Sequence, residues 1–283
     1  MRDQASLLPE TDYLNKVSSL NRKQREFYNH VMKSFAVKKQ LPIYYFLTGG
    51  AGVGKSVVIE TLYQGLVRLF GSKEGDNPDE VRVMLTAYTG KAAKNIGGIH
   101  LHKQFNFPIA CAANAIHIDF DKLGDLNRKF KNLEVIIIDE ISLVSNNIFR
   151  VTDIYCRKFL KKMKEFFGGI SVIAVGDFYQ LQPFGYNASW IFNDLKKDYD
   201  AFCINDWKDK FQIHELTEIM RQKDDLPFAN LLKRLRVGEH TKEDIELLKT
   251  RLITRSDENY WLYEPHICAT TVSYTHLTLP TKA

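Results

Sequence analysis

The chain has 283 residues, of which 45% are hydrophobic and 26% are charged. That balance is typical of a globular protein and excludes collagen, coiled-coil rods and disordered tail proteins. At about 150 residues per domain, the length allows two domains at most. The 39 basic and 34 acidic residues give a net charge of +5. This small excess permits a polyanionic partner but fits a solvated, slightly basic surface equally well.

The apolar runs are short and the cysteines are far apart in the sequence, which bears on where in the cell the protein is expected. Val135–Ile138 and Val172–Val175 are typical apolar runs, whereas a membrane-spanning helix needs about 20 apolar residues, so we expect no membrane contact. Residues 1–10 lack the basic and apolar regions of a secretory signal. The cysteines lack the close spacing of a zinc site or redox motif, so we interpret them as reduced thiols of an intracellular protein. They are Cys111, Cys156, Cys203 and Cys268.

Hydrophobic periodicity predicts alternating helices and strands along the first two thirds of the chain. Residues 1–19 show no period and are expected to be a leader without fixed structure. Asn21–Phe35 has a helical apolar face, and Ile43–Leu47 is an aromatic and β-branched run of strand length. The strands predicted next are Val81–Thr86, Val135–Ile138 and Ser171–Val175, and the helices are Ser56–Phe70, Gly90–Ile96 and about Asn147–Phe167.

Apolar strands separated by helices are typical of a parallel sheet with helices on both faces, so we predict an α/β fold. Residues 106–131 are expected to form an irregular insert. After Phe192 the pattern is helical and rich in loops, through Leu226–Arg236 and Lys242–Leu252. The segment 272–283 has no clear period. We interpret it as a non-native tail, such as translated adapter sequence, with a frayed native terminus as the alternative.

A glycine-rich segment, Gly49–Ser56, reads GGAGVGKS and matches the phosphate-binding pattern G-x-x-x-x-G-K-S/T. It follows a predicted strand and precedes a predicted helix, which is the context that the pattern requires. Glycines let successive backbone N–H groups turn toward phosphate oxygens, and the helix start adds partial positive charge. We expect Lys55 to reach the β and γ phosphates and Ser56 to offer an oxygen to Mg²⁺. The predicted loop contacts are Gly49, Gly50, Ala51, Gly52, Val53, Gly54, Lys55 and Ser56.

Acidic and amide side chains follow two other predicted strands. Asp139 and Glu140 end the apolar run Val135–Ile138, and adjacent carboxylates seldom end a buried strand for packing reasons alone. We expect Asp139 to hold the Mg²⁺ shell and Glu140 to orient and deprotonate a water. Gln180, after the strand Ser171–Val175, is a candidate for contacting the γ-phosphate or the attacking water. The sequence therefore predicts hydrolysis of a magnesium-bound nucleoside triphosphate.

Seven segments in order resemble the PIF (petite integration frequency) family of superfamily 1 DNA helicases, over about Leu20–Thr271. The phosphate loop belongs to one segment, and His100–Phe105 matches the family's Leu-His-Ser-Phe segment with Lys-Gln in place of Ser. The sequence around Gly176–Pro183, with Ser189–Phe192 after it, is similar to the helicase copies that Helitron-type transposons carry. The other matching segments are Leu20–Gln24, Thr86–Ala93 (TAYTGKAA), Ile137–Val144 (IIDEISLV), Gly176–Pro183 (GDFYQLQP) and Leu216–Gln222 (LTEIMRQ).

The resemblance implies a RecA-like motor domain that couples ATP hydrolysis to 5′→3′ movement on single-stranded DNA. It assigns adenine reading to Gln24 and a γ-phosphate contact to Arg221, and it implies a monomeric motor in the nucleus or mitochondrion. The processes implied are DNA repair, recombination or telomere maintenance. The DNA contacts implied are Thr86, Thr89, Gly90, His102 and Phe105.

Several alternatives stay open at this point. His102 and Phe105 are also compatible with a packed loop, and Arg221 with an ordinary surface position. The basic residues Arg157, Lys158, Lys161, Lys162 and Lys164 are expected on one helix, as a solvated face or as a DNA contact. A RecD-type helicase, or a P-loop switch without DNA activity, would carry the same phosphate loop. Single-stranded DNA should accelerate ATP turnover by a helicase and leave that of a switch unchanged.

The resemblance also implies a division of the chain. We expect a first RecA-like domain over 20–222, and a helical linker with the start of a second RecA-like domain over 223–271. Pro265–Thr270 resembles the opening strand of that second domain, and the family's later motifs do not follow. Because unwinding needs two domains that alternate their grip, we expect these 283 residues alone to be a fragment that hydrolyses ATP poorly and unwinds nothing.

Overall fold

The computed structural model describes residues 6–37, 41–71, 80–107, 120–185, 188–193, 206–220 and 226–250. Within these residues, six strands form one sheet in the order β3-β2-β4-β5-β1-β6, and every pairing is parallel. The predicted α/β fold is confirmed. The strands are β1 (Tyr44–Gly49), β2 (Val83–Ala87), β3 (Ile99–His100), β4 (Val135–Asp139), β5 (Ser171–Gly176) and β6 (Gln212–Leu216).

Helices connect the strands and cover both faces of the sheet. Short 3-10 turns lie at Ile141–Leu143 and Phe166–Gly169. The α-helices are α1 (Glu10–Ser19), α2 (Arg22–Ala36), α3 (Lys55–Phe70), α4 (Gly90–Asn95), α5 (Leu101–Phe105), α6 (Phe120–Phe130), α7 (Asn146–Phe159), α8 (Asp206–Lys210), α9 (Leu226–Val237) and α10 (Lys242–Lys249).

The central strands are apolar throughout because both of their faces are buried. Alternate residues of β4 belong to different halves of the core: Ile136 and Ile138 pack on one face, whereas Val135 and Ile137 pack on the other. All four side chains are fully buried. Side chains of a strand point alternately to opposite faces, so a strand covered on both sides needs a continuous apolar run. This is why β1, β2, β4 and β5 were predictable.

Parallel pairing brings the carboxyl ends of the strands to one edge of the sheet. Thr48 of β1 lies beside Gly176 of β5, and Ile138 of β4 lies beside Ala174 of the same strand. The loops that follow β4, β5 and β1 therefore leave from three adjacent strands. Ligands of open α/β sheets bind in the crevice at this edge.

The expectation of an unstructured leader over 1–19 is wrong for the residues that the structure describes there. Helix α1 lies on α3, and Lys16 forms a 2.6 Å ion pair with Glu60. The backbone N–H of Leu8 donates to the side-chain oxygen of Gln64 at 3.0 Å, and the Arg68 guanidinium lies 4.4 Å from the centre of the Tyr13 ring. No side chain of α1 is buried, so the sequence has no apolar period from which to predict it.

The predicted helix Asn147–Phe167 ends early, at Phe159, because the chain reverses there. Lys161 adopts a left-handed conformation with a φ of 58°. Phe167 then returns to the core, fully buried, and its N–H donates to the Asp153 carboxylate at 2.6 Å. Gly168, with a φ of 63°, completes the reversal.

Helix α6 and strand β6 are among the further elements that were not predicted. Helix α6 occupies the second part of the stretch 106–131, which we expected to be irregular; residues 108–119 lie outside the described ranges. Strand β6 lies at the edge of the sheet, with Ile213 71% exposed. An edge strand with one solvated face lacks the apolar run by which the central strands were recognised.

The chain divides into two compact units, Met1–Arg236 and Val237–Ala283. This boundary differs from the expected division at 222. In the described part of the second unit, α10 begins with a capping box in which Thr241 and Asp244 exchange side-chain hydrogen bonds. The sequence expectations for 251–283 lie outside the described residues. Among the residues described, no helix has the length and hydropathy to cross a bilayer.

Candidate nucleotide-binding site

The phosphate loop joins β1 to α3, as predicted. Gly52 and Gly54 have φ values of 78° and 81°, a left-handed conformation that glycine adopts without steric cost. Gly49 is confined in a different way, since an added Cβ would lie 2.5 Å from the Leu216 carbonyl oxygen of β6. Lys55 is the first residue of α3. The sequence thus forms a curled backbone that leads into a helix N-terminus, where anions bind.

Lys55 folds back over the loop and hydrogen-bonds to its backbone. Its Nζ donates to the carbonyl oxygens of Gly49 at 2.7 Å and Gly50 at 3.1 Å. Burial lowers the pKa of Lys55, and the negative charges of Asp177, Glu140 and Asp139 oppose that shift. The lysine therefore lies within electrostatic reach of the acidic pair after β4 and of the carboxylate after β5. The phosphate loop after β1 and the acidic pair after β4 thus leave the same edge of the sheet.

Asp139 and Glu140 occupy a tight turn at the end of β4. Asp139 is 7% exposed, and burial raises the pKa of its carboxyl group to about 6. Its Oδ1 accepts a 2.9 Å hydrogen bond from the Glu140 N–H. Glu140 has a φ of 53°, which is rare for a residue other than glycine. The neighbouring strand approaches so closely that a Cβ on Gly176 would lie 3.0 Å from the Ile141 nitrogen.

Asp177 connects the loop after β5 to helix α9. Arg236 donates to both oxygens of Asp177, from Nε at 2.7 Å and from Nη2 at 2.8 Å. The Asp177 carboxylate also accepts from the Tyr179 N–H at 3.1 Å and from the Gln180 side-chain amide at 3.3 Å. Although burial acts in the opposite direction, the hydrogen bonds from Arg236 and from the Tyr179 backbone, with the charges of Arg236 and Lys55, hold the pKa of Asp177 below its ordinary value.

Arg236 is a site residue that sequence reasoning missed. It lies 56 positions after Gln180 in the sequence, in a helix that we predicted without assigning it a role. Its side chain covers the phosphate loop, since a Cβ on Gly50 would lie 3.6 Å from Arg236 Cδ. Arg236 carries no motif of its own, so only the fold reveals its place. Gln180 itself is exposed, on the loop where it was predicted.

Gln24, the expected adenine-reading residue, is buried against the phosphate loop. Its side-chain amide donates to the Val53 carbonyl at 2.8 Å, and its oxygen accepts from the Asn21 N–H at 3.0 Å. Each end of an amide side chain has one more hydrogen-bonding position. The geometry therefore shows Gln24 supporting the loop, with capacity left for a further partner.

The segment that contains Arg221 is attached to the phosphate loop by the residue before it. The Met220 N–H donates to the Gly52 carbonyl at 2.8 Å, and the Asn21 side chain donates to Met220 Sδ at 3.3 Å. Arg221 itself lies outside the described residues.

Two of the expected DNA contacts have side chains that face the core. Thr86 is fully buried, and its hydroxyl donates to the Ile137 carbonyl at 3.2 Å. Phe105 is also fully buried and stacks on Phe107 with ring centroids 5.3 Å apart. The expectation that the Thr86 hydroxyl and the Phe105 ring meet DNA is wrong for this arrangement, because neither reaches the surface. Phe105 is packed, as the alternative expected, but it ends helix α5 and does not lie in a loop.

The remaining expected contacts lie near the carboxyl edge. Thr89 caps α4 by accepting from the Ala92 N–H at 3.2 Å, and Gly90 is exposed. His102 is partly buried, stacks on His100 at 5.2 Å and lies 5.6 Å from the Tyr88 ring. Burial lowers the pKa of His102, and the nearby His100 adds to that shift. Thr89 and Gly90 follow β2 and His102 follows β3, so the chain brings all three to the carboxyl edge of the sheet.

We expected the basic run to lie on one helix, and this expectation is wrong. Arg157 and Lys158 end α7, whereas Lys161, Lys162 and Lys164 follow the reversal. Arg157 donates to Asp153 at 2.8 Å, and Lys162 pairs with Glu165 at 3.5 Å.

One of the four cysteines, Cys156, lies in the part of the chain that the structure describes. Cys156 is buried and unbridged, and burial raises the pKa of its thiol. The other cysteines lie outside the described ranges. Within those ranges, no cluster of three or more His, Cys, Asp or Glu side chains could hold a metal ion.

A parallel sheet with a phosphate loop after β1, an acidic pair after β4 and a glutamine-bearing loop after β5 defines a P-loop protein with a RecA-like sheet. The family model described as PIF1-like helicase matches residues 19–246. This chain belongs to the PIF1-like helicase family.

Relatives and solved structures agree with this assignment. The ATP-dependent DNA helicase RRM3 of Saccharomyces cerevisiae is 32% identical over 231 residues, which cover 79% of this chain and 28% of that protein. PIF1 of Candida albicans is 32% identical over 238 residues, which cover 82% of this chain and 25% of that protein. The chain thus spans about a quarter of the length of these relatives.

Solved helicase structures share the fold. The crystal structure of the Candida albicans Pif1 helicase has a TM-score of 0.63 at 26% identity, with 85% of this chain and 49% of that chain covered. The Bacteroides Pif1 helicase in complex with ADP-AlF3 and ssDNA has a TM-score of 0.61 at 28% identity, with 85% and 52% covered.

Proposed function

We propose that the protein to which this chain belongs is an ATP-dependent DNA helicase that moves 5′→3′ along single-stranded DNA. One observation carries the proposal: the phosphate loop with Lys55 follows β1 and the pair Asp139–Glu140 follows β4, so both lie at the carboxyl edge of one parallel sheet. A lysine over a glycine-rich loop and an acidic pair at one sheet edge are the parts that a nucleoside triphosphate requires.

Mg-ATP is the proposed cofactor, and the residues present fit both parts of it. Asp139 is a buried carboxylate whose pKa is raised by burial, so a nearby cation would favour its charged form. Ser56 is exposed in the first turn of α3, and Mg²⁺ prefers such oxygen ligands. We assign Mg²⁺ to Ser56 and Asp139 and the phosphates to the loop 49–56. When bound, the ion neutralises charge on the β and γ phosphates.

The chain's own side chains divide the work of hydrolysis. Lys55 exchanges its carbonyl partners for phosphate oxygens and stabilises the charge that develops on them. Glu140 holds the attacking water and accepts its proton. Gln180 contacts the γ-phosphate or that water, and Arg221 supplies a second positive charge to the γ-phosphate. Gln24 contacts the adenine through its free amide positions. Met220, bonded to Gly52, supports the assignment of Arg221 because it is the preceding residue.

Single-stranded DNA is the proposed partner, bound at the carboxyl edge of the sheet. Thr89 and Gly90 offer a hydroxyl and a backbone N–H to phosphates, and His102 lies in an aromatic group on which a base can stack. Tyr88 lies 6.1 Å from Phe184, which is 55% exposed. Bacteroides Pif1 has been solved bound to ssDNA, which supports the same partner here.

The fraction of its relatives' length that this chain covers bears on the activity expected of these 283 residues alone. Because it spans about half of the solved Pif1 chains, we propose that these 283 residues bind Mg-ATP weakly, hydrolyse it poorly and do not unwind DNA. The complete protein would act in DNA repair, recombination or telomere maintenance, as a monomeric motor in the nucleus or mitochondrion.

ATP turnover and strand displacement by the complete gene product test the proposal. We expect single-stranded DNA to accelerate turnover at least tenfold and forked duplex with a 5′ tail to be unwound. Lys55→Ala should abolish both activities, and Lys122→Ala, an exposed lysine of α6, should change neither. A rate of ATP turnover that single-stranded DNA does not change would favour the P-loop switch. Robust unwinding by the 283-residue chain alone would contradict the fragment proposal.

A further inference from the structure

The loop after β5 is attached to helix α9 by one ion pair. Arg236 grips Asp177 through two nitrogens, at 2.7 and 2.8 Å. Asp177 is 1% exposed, so this carboxylate is removed from water. Hydrogen bonds between charged groups in such a fork are both strong and strict in geometry. The pair therefore fixes the orientation of the Asp177 carboxylate.

The same carboxylate holds Gln180. Asp177 Oδ2, which accepts from Arg236 Nε, also accepts from the Gln180 side-chain amide at 3.3 Å. The Gln180 N–H donates to the Asp177 carbonyl at 3.0 Å. Gln180 is exposed, so few other contacts limit its rotamers. The Asp177 carboxylate is its one side-chain anchor among the hydrogen bonds of the described residues.

The position of Arg236 suits support better than direct contact with nucleotide. Its Nε and Nη2 are committed to Asp177, and its guanidinium carbon lies 4.6 Å from the centre of the Tyr179 ring. An aromatic face stabilises a guanidinium in this arrangement. The arginine is thus held from two sides, close to Gly50 of the phosphate loop.

We propose that Arg236 is a positioning residue that acts through Asp177 to hold Gln180 in place for the γ-phosphate. This inference rests on the proposed function, in which Gln180 contacts the γ-phosphate or the attacking water. It adds a residue from α9, outside the seven matching segments, to the machinery of the site. Val237, the next residue, begins the second unit, so the support lies at the last position of the first unit.

The chemistry predicts how replacement acts. Without Arg236, the buried Asp177 loses its two shortest hydrogen bonds, and the orientation of its carboxylate is no longer fixed. Gln180 would then lose its anchor. Lysine at position 236 would keep the charge but not the two-pronged geometry, so it should rescue in part.

The test compares binding of Mg-ADP and of a non-hydrolysable Mg-ATP analogue to the purified 283-residue chain by calorimetry. The dissociation constant of Mg-ADP divided by that of the Mg-ATP analogue measures how much the γ-phosphate contributes to affinity. We expect Gln180→Ala to lower this ratio roughly tenfold, the worth of one hydrogen bond to a charged group. Arg236→Ala should lower it equally, and the double variant should lower it no further. Arg236→Lys should give an intermediate ratio, and Lys233→Ala, exposed on the same helix, should match the unmodified chain.

Each outcome decides a separate point. Unchanged ADP affinity in Arg236→Ala shows that the site is still folded; if that variant fails to bind ADP, Arg236→Lys and Asp177→Asn carry the same comparison. A drop for Gln180→Ala with none for the Arg236 variants overturns the inference and leaves the proposed function standing. Additive losses in the double variant would give Arg236 its own phosphate contact and overturn the positioning role. If the unmodified chain binds neither nucleotide, the same comparison is made on the complete gene product, and no nucleotide binding there would overturn the proposed function itself.

Discussion

The side-chain amide of Gln24 donates a 2.8 Å hydrogen bond to the Val53 carbonyl, which ties helix α2 to the phosphate loop. Gln24 is 2% exposed, and its oxygen caps the helix by accepting from Asn21. One buried amide thus connects the first turn of α2 to the phosphate loop.

Replacing this amide should weaken both folding and binding. Gln24→Ala leaves the Val53 carbonyl and the Asn21 N–H without their partner, and an unsatisfied buried polar group costs about 1–3 kcal/mol. We expect the free energy of unfolding to fall by about that amount in urea titrations, and ATP-analogue affinity to fall with it. Lys23→Ala, an exposed neighbour on the same helix, is the control. Gln24→Ala with unchanged stability would show that the hydrogen bonds contribute nothing.

A methyl group at Gly54 should collide with the same amide. An added Cβ would lie 2.4 Å from Gln24 Nε2, and the φ of 81° is unfavourable for alanine, which costs about 1–2 kcal/mol by itself. We expect Gly54→Ala to lower the melting temperature and nucleotide affinity. Gln24→Ala in the same chain should recover part of the loss, because the clash is then relieved. Gly90→Ala, where no atom lies within 4 Å of the added Cβ, should be neutral for stability. Full additivity of the two changes would contradict the contact.

Asp153 should hold the reversal after α7 together. Its Oδ1 accepts from the Phe167 N–H at 2.6 Å and from Arg157 at 2.8 Å. Asp153→Ala would leave a buried N–H unpaired, so we expect a loss of about 2–4 kcal/mol in the free energy of unfolding. Asp153→Asn, which keeps one acceptor oxygen, should lose less. Equal losses for the two variants, measured by chemical denaturation, would contradict a hydrogen-bonding role.

His214 should make stability depend on pH. Its ring lies 4.9 Å from Phe27 and 5.3 Å from His30, and burial, with a smaller effect of His30, lowers its pKa below the ordinary value of 6.5. The unfolded chain therefore takes up a proton more readily than the folded one. Above pH 6.5 this contribution is constant, and the free energy of unfolding falls as the pH drops below 6.5 toward the lowered folded-state pKa.

Denaturation midpoints between pH 5 and pH 8 test this. We expect His214→Phe to flatten the acid limb of the curve, and His240→Phe, an exposed histidine, to leave it as in the unmodified chain. An identical slope in all three proteins would show that His214 does not titrate differently on folding.

The sequence predictions agree best with the structure for strands that are buried on both faces of the sheet. The four central strands were predictable because residues such as Ile136 and Ile137 face opposite halves of the core. The phosphate loop was predictable because the pattern G-x-x-x-x-G-K-S/T stands between a strand and a helix. Strand β6 and helix α1 were missed because each leaves most side chains exposed, which removes the periodic signal.

The remaining side-chain roles could not be predicted from the sequence because they depend on long-range contacts and on burial. Arg236 has no signal of its own, because its partner Asp177 lies 59 residues earlier. Thr86 and Thr89 look equivalent in sequence, yet one hydroxyl faces the sheet interior and the other caps a helix. Only the pairing of β2 with β4 separates their roles. A motif therefore locates a site, whereas individual side-chain roles depend on the packing around it.

Calorimetric binding of an ATP analogue to the 283-residue chain, with and without Mg²⁺, tests most directly whether the phosphate loop and the acidic pair serve one nucleotide. We expect Lys55→Ala to lose at least tenfold in affinity under both conditions. Asp139→Asn should bind like the unmodified chain when Mg²⁺ is removed by a chelator, and should lose the gain in affinity that Mg²⁺ otherwise confers. An Asp139→Asn chain that keeps the full Mg²⁺-dependent gain would contradict the account.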